Sequence, residues 1–232
     1  MQTVLTAEDR SEPSRRGPHG IRRIRTALTV LGLGSLALLN ASPSRSPQVE
    51  VRAGRWRARF EEAQFVSGDL IFRRGRSLVS RAVLAVDGGS EYSHVGLISV
   101  TDGQVWVLHE MPPEEPDRKG GALAEPLSTF LAPGNATAAG LYRPEDVRAA
   151  AIAERAAWRS VRARVPFDSA FDISTSDEMY CTEMVWRAYR EAGIDLAPPD
   201  PSRKEKYLLP SRLLRSPHLR RIQELTEEGA IQ

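Results

Sequence analysis

From Val66 onward the apolar residues fall into short runs separated by glycine, proline and acidic residues. Leu70-Ile71-Phe72, after the turn Ser67-Gly68-Asp69, reads as a strand. Ser77 to Val86 has helical spacing, with Leu78, Ala82, Val83 and Val86 near one face, and Asp87-Gly88-Gly89-Ser90 breaks it. Ser93 to Val100 and Gln104 to Met111 are strand patterns joined by Thr101-Asp102-Gly103, and Asp-Gly between apolar runs predicts an antiparallel hairpin. Pro112 to Gly121 is a polar loop long enough to form a rim or lid. Ala139 to Tyr142 is another short strand pattern, and a helix opening at Pro144-Glu145-Asp146 runs to about Arg164. A further helix begins at Cys181: this residue, Met184, Val185, Ala188 and Ala192 share one face, and Gly193 supplies the stop. Pro198, Pro199 and Pro201 then impose a loop, and Leu208 to Leu214 packs against or caps the end. Strands and helices arranged around a hairpin predict an α+β domain.

Upstream the pattern changes. Residues 1–48 form a basic arm whose first 20 residues, rich in Ser, Pro, Arg and Gly, are expected to be disordered. Arg22-Arg23-Ile24-Arg25 precedes an uncharged stretch, so residues 26–41 are expected to act as an export signal or membrane anchor, with the anchor preferred. The apolar part is short of the roughly 20 residues of a comfortable spanning helix. Arginines before it predict an N-in orientation, which places the domain at the cell envelope. Residues 42–48 read as a linker, 49–65 as a charged lead-in, 66–222 as the globular domain and 223–232 as a tail.

Charge sharpens this division. Residues 1–60 hold eleven arginines and four acids, a net +7, so the rest of the chain carries −5 of the overall +2. The basic character belongs to the arm. With no aromatic residues interleaved among the early arginines, and no zinc-ligand or helix-turn-helix pattern, nucleic-acid binding is not expected.

Cys181 is the only cysteine, so an internal disulfide is impossible and the thiol is either packing or chemistry. In the first turn of a helix it lies near the positive end of the dipole, which favours thiolate. A catalytic thiol needs a base and a group that orients the base. Of four histidines, His19 lies in the arm and His218 near the tail, which leaves His94 and His109, one on each hairpin strand. Gly96 shares the face of His94 and leaves space beside the imidazole. His109 and Glu110 are adjacent and face opposite ways, so only one can project toward His94. A carboxylate that accepts the imidazole N–H makes Glu110 the preferred orienter over His109. A metal site built from His94, His109 and Cys181 is disfavoured, because no acidic cluster completes it.

These residues resemble those of the permuted papain-like amidase family, the YiiX-like branch of the NlpC-type cysteine hydrolases. The resemblance rests on Gly68-Asp69-Leu70-Ile71-Phe72, Tyr92-Ser93-His94-Val95-Gly96, a glutamate on the next strand, and Tyr180-Cys181-Thr182-Glu183-Met184-Val185. It extends over roughly residues 66–222. It implies a circularly permuted papain-like domain in which a small antiparallel sheet packs against the cysteine helix. It further implies Cys181 as nucleophile, His94 as general base and acid, and Glu110 as orienter. Tyr180, Tyr92 and Ser93 take oxyanion or substrate-binding positions, and the Cys181 backbone N–H is a second oxyanion donor. Thr182 stands where serine is commoner in the family. Glu183 is expected to tether the helix or to lie solvated, and Asp168 and Asp172 to shape the pocket or, by preference, to hold a loop. The implied activity is a cysteine hydrolase or acyltransferase acting through a thioester on an amide or ester in a peptide or lipid-linked substrate, with no cofactor. The alternative is a binding or scaffold domain that keeps the fold.

Overall fold

The computed structural model describes residues 48–49, 60–61, 65–113, 120–198 and 207–226. The basic arm, its signal or anchor segment at 26–41, most of the lead-in, the centre of the loop after Met111 and the prolines at 199 and 201 lie outside the described residues. Two short strands, β1 (Gln48–Val49) and β2 (Phe60–Glu61), pair antiparallel.

The main sheet contains β3 (Leu70–Gly75), β4 (His94–Thr101), β5 (Gln104–Met111), β6 (Gly121–Pro126), β7 (Ala136–Pro144) and β8 (Leu219–Thr226). Its order is β6-β5-β4-β3-β7-β8, and every neighbouring pair is antiparallel. The helices are α1 (Leu78–Asp87), α2 (Leu127–Phe130), α3 (Val147–Ala163), α4 (Cys181–Glu191) and α5 (Pro210–Leu214). The result is the mixed helix and antiparallel-sheet fold expected. No helix among the described residues is long and apolar enough to cross a membrane.

Alternation along the strands builds two cores. Leu70, Phe72, Val95, Leu97 and Leu108 face α3 and α4 and pack with Met184, Val185, Ala188 and Tyr189. Ile71, Ile98, Val107 and Leu141 face the other way, against Phe65, Leu127, Phe130 and Leu131. Each fully buried large apolar side chain contributes about 1.5–3 kcal/mol, so the inner face of α4 anchors the cysteine helix. The ring hydroxyl of Tyr189 donates to the Gly68 carbonyl at 2.5 Å, which ties that helix to the turn before β3.

Local chemistry explains the element ends. Asp102 (φ 52°) and Gly103 (φ 73°) are both left-handed, the backbone that a two-residue hairpin turn matching strand twist requires. The Asp146 carboxylate caps α3 by accepting from the Arg148 and Ala149 N–H groups. Three elements escaped the sequence reading. The β6 strand begins inside the expected polar loop, α2 is a single turn, and β8 occupies residues 219–226, across the boundary expected to open a tail. Helix α1 forms as expected, but none of its residues is buried.

Candidate active site

The hairpin that carries both histidines is paired only at its turn end. The β4–β5 ladder runs from Thr101↔Gln104 to Leu97↔Leu108. Beyond it, the Val95 backbone N–H points at the sulfur of Cys181, as does the Thr182 N–H. The N-terminus of α4 therefore meets the histidine strand where the hairpin has opened, one residue past His94.

His94 and His109 face the same side of the sheet. His94 Nε2 lies 2.9 Å from His109 Nδ1, and His109 Nε2 lies 3.1 Å from Glu125 Oε1 on β6. The last contact is bent away from good hydrogen-bond geometry. Phe130 closes the arrangement, with ring centroids 5.6 Å from His94 and 5.1 Å from His109. Arg73, the cross-strand neighbour of His94, stacks over Phe130 at 4.3 Å, donates to its carbonyl at 2.7 Å and approaches Glu125 at 3.9 Å.

The structure brings His109, and not the expected Glu110, to His94. Register sets His109 beside Gly96 on the His94 face and turns Glu110 toward α4. Glu110 is fully buried, both its oxygens lack a hydrogen-bond partner, and its electrostatic neighbours are Glu183 and Cys181. The carboxylate at the far end of the histidine chain is Glu125. Sequence missed it because the strand that carries it lies beyond a polar loop and was not recognised.

Gly96 has the role its position suggested. A Cβ there would stand 2.3 Å from Val107 Cγ1 and 3.2 Å from His109 Cβ, so its absence lets β5 side chains close over the strand.

Burial dominates the electrostatics. The Cys181 thiol is pushed up to about 11, chiefly by burial; the Val95 and Thr182 N–H groups and Arg73 oppose this, and Glu110 adds to it. Burial thus favours the thiol over the thiolate, against the pull of the helix start. Burial, then Arg73 and His109, hold His94 well below the ordinary imidazole range. Burial also lowers His109, with Glu125 opposing. Glu110 rises to about 9 by burial and the nearby Glu183.

The remaining candidates separate. Ser93 and Tyr180 line a cavity of about 420 Å3 with Cys181. The Tyr180 hydroxyl accepts the Leu208 N–H at 2.6 Å, and Ser93 Oγ accepts the Gly75 N–H at 2.9 Å. Tyr92 does not reach this cavity: it is buried against Phe72 with its hydroxyl engaged by Glu224. Glu183 is fully buried, pairs with Arg187 at 2.5 Å and accepts the Tyr180 N–H at 3.4 Å, so it ties down the start of α4. Asp168 is buried and accepts from the Ala170, Phe171 and Asp172 N–H groups, while Asp172 accepts from Ser174; both hold the loop before the cysteine.

A cysteine at a helix start, against a strand whose histidine precedes it in the chain, is the arrangement of a papain-like site in permuted order. The family model described as permuted papain-like amidase enzyme, YaeF/YiiX, C92 family, matches residues 64–223, more than half of the chain, and the protein belongs to this family. The uncharacterized protein YiiX of Escherichia coli (strain K12) is 27% identical over 127 residues, 54% of this chain. The match spans 58% of that relative's length. A crystal structure of metalloprotein yiiX from Escherichia coli O157:H7 shares the fold, with a TM-score of 0.54 at 22% identity over 69% of this chain and 97% of that one.

That relative is described as a metalloprotein. Among the described residues here, no group of three or more His, Cys, Asp or Glu side chains stands together as an ion would require. His94 and His109 direct ring nitrogens at each other, which does not fit a ligand set converging on one ion.

Proposed function

We propose that the protein is a cysteine-dependent hydrolase in which Cys181 attacks an amide or ester carbonyl, with His94 as base and His109 backed by Glu125 as orienter. The observation that carries this reading is the opened hairpin, where the Cys181 sulfur meets the Val95 N–H next to the histidine chain.

The reading assigns tautomers to the two imidazoles. A Glu125 carboxylate 3.1 Å away favours a proton on His109 Nε2, which leaves a bare Nδ1 facing His94. His94 then donates from Nε2, and its Nδ1 is the free base. As the sulfur bonds to the carbonyl carbon, Nδ1 takes the thiol proton. The imidazolium passes that proton to the departing amine or alcohol as the carbon–heteroatom bond breaks. Water then adds to the thioester, and the carbon–sulfur bond breaks to release the acid and restore the thiol. An alcohol or amine in place of water makes the second half an acyl transfer. The Cys181 N–H and the Tyr180 hydroxyl, whose proton is not used by Leu208, are placed in this reading as oxyanion donors.

The substrate in this reading is an envelope peptide or lipid-linked compound, and the basic, then apolar arm supports action at the cell envelope. The test is turnover of fluorogenic amides and esters by the full chain, with trapping of the intermediate by intact mass. A Cys181-dependent mass increase equal to the acyl group supports the reading. Turnover that survives in Cys181→Ala overturns it.

A further inference from the structure

We propose that the cavity beside Cys181 is the subsite for the acyl chain of the substrate, with α1 as its outer wall. The proposal rests on Cys181 being the nucleophile and adds the substrate class. At about 420 Å3 the cavity is within the range of small-molecule sites. Its apolar wall includes Val79, Ala82, Val83 and Val86 from α1, Phe171 from the loop before the cysteine, and Leu209.

No charged residue lines it among the described residues. The polar atoms that reach it are few and partly engaged: Thr182 Oγ1 donates to the Leu208 carbonyl at 2.6 Å, and the Ser93 and Tyr180 hydroxyl oxygens accept backbone N–H groups. A charged peptide or a sugar would leave its polar groups unpaired on such a wall. A methylene chain would lose nothing and would remove the wall from water.

Helix α1 gives the second observation. Its sequence, LVSRAVLAVD, has one basic residue and seven aliphatic ones, yet none is buried; Leu78 is 80% exposed and Val86 58%. An apolar helix that adds nothing to the core marks a binding surface rather than a folding element. The fold nevertheless fixes both its ends. Ser77 caps the first turn by accepting from Ser80, and Asp87 accepts the Ser211 N–H at 2.9 Å. What is held in place is a wall that runs to the sulfur, so a chain lying along it brings its carbonyl to Cys181.

The experiment uses the full chain. Calorimetry of Cys181→Ala with decanoate and with butyrate should show saturable binding of decanoate alone. Val83→Asp, on a helix outside the core, should abolish that binding with unchanged thermal unfolding. With Cys181 intact, kcat/KM should climb from p-nitrophenyl acetate to the decanoate ester by up to roughly fourfold for each methylene buried. In Val83→Asp the decanoate-to-acetate ratio should collapse. A flat chain-length series with Cys181-dependent acetate turnover, and no decanoate binding, overturns the acyl subsite and leaves the hydrolase reading standing. Decanoate binding that Val83→Asp removes, with no ester turned over, supports the subsite and overturns the nucleophile.

Discussion

His94 Nε2 and His109 Nδ1 are 2.9 Å apart, from strands whose ladder has already ended, so the ring neighbour of the candidate base is His109 and not Glu110. In the proposed tautomers the His109 imidazole accepts the His94 N–H, and Glu125 stands 3.1 Å behind it. Positive charge formed on His94 in that reading is met by a neutral ring first and a carboxylate second.

Activity should follow that chain. His94→Ala is expected to lower kcat by about 10²–10⁴-fold, the usual contribution of a general acid–base group. His109→Ala should cost at least about tenfold, because His94 loses the acceptor that fixes its tautomer. Glu110→Gln should stay within a few-fold of wild type. Steady-state kinetics on one ester substrate checks all three; a Glu110→Gln enzyme as impaired as His94→Ala would transfer the orienting role to Glu110.

The resting thiol sets a distinctive reactivity profile. With Cys181 pushed up to about 11 and His94 held low, neither member is charged at neutral pH. Iodoacetamide alkylation of the folded protein should therefore be slow at pH 7 and rise roughly tenfold per pH unit until it levels near the thiol's value. A plateau already present at pH 6–8 would show a preformed thiolate–imidazolium pair. Turnover should behave differently, since a neutral His94 is available throughout that range and its acid limb lies below the ordinary imidazole range.

Gly96 offers a test of packing at the same site. A methyl group there meets Val107 Cγ1 at 2.3 Å and crowds His109 Cβ at 3.2 Å. Gly96→Ala should cost about 1–3 kcal/mol by overpacking and should also lower activity by displacing His109. Adding Val107→Ala should recover part of both, which urea denaturation and kinetics on the double variant would reveal. Full activity in Gly96→Ala would show that the strands are free to separate.

Much of this site was legible in the residues themselves. The Asp102-Gly103 turn announces the hairpin, the spacing after Cys181 announces the helix, and the lone cysteine with two hairpin histidines narrows the chemistry. What failed depended on register and burial. The choice between His109 and Glu110 turns on which strand face meets His94, and adjacent strand residues look equally available until pairing is known. Glu125 sits on a strand whose pattern, Gly121-Ala122-Leu123-Ala124-Glu125-Pro126, carries small residues and a proline instead of β-branched ones. The thiol's state depends on an energetic balance that spacing does not show. A helix end contributes only about 0.3–1 kcal/mol in ordinary settings, and burial of the sulfur outweighs it here. The apolar spacing of α1 was correctly read as helical, but periodicity says nothing of whether the apolar face meets protein or ligand.

Glu110 also makes the stability of the fold depend on pH. Its carboxyl is fully buried, without a hydrogen-bond partner, and is raised to about 9 by burial and by Glu183, itself raised to about 7 and paired with Arg187. In the unfolded chain the same group titrates near 4.5. The folded state thus holds its proton across an interval in which the unfolded state has released it. The protonated acid's contribution is complete below about pH 4.5 and declines as pH rises toward 9. Glu110→Gln removes this titration while keeping the shape of the neutral acid. The variant should therefore match wild type near pH 4.5 and become progressively more stable than it above, with the gap widening by at most about 1.4 kcal/mol per pH unit. Urea unfolding of both proteins from pH 4.5 to 8 measures the gap directly. A constant difference across that range would mean that Glu110 ionises in the folded protein as it does in water.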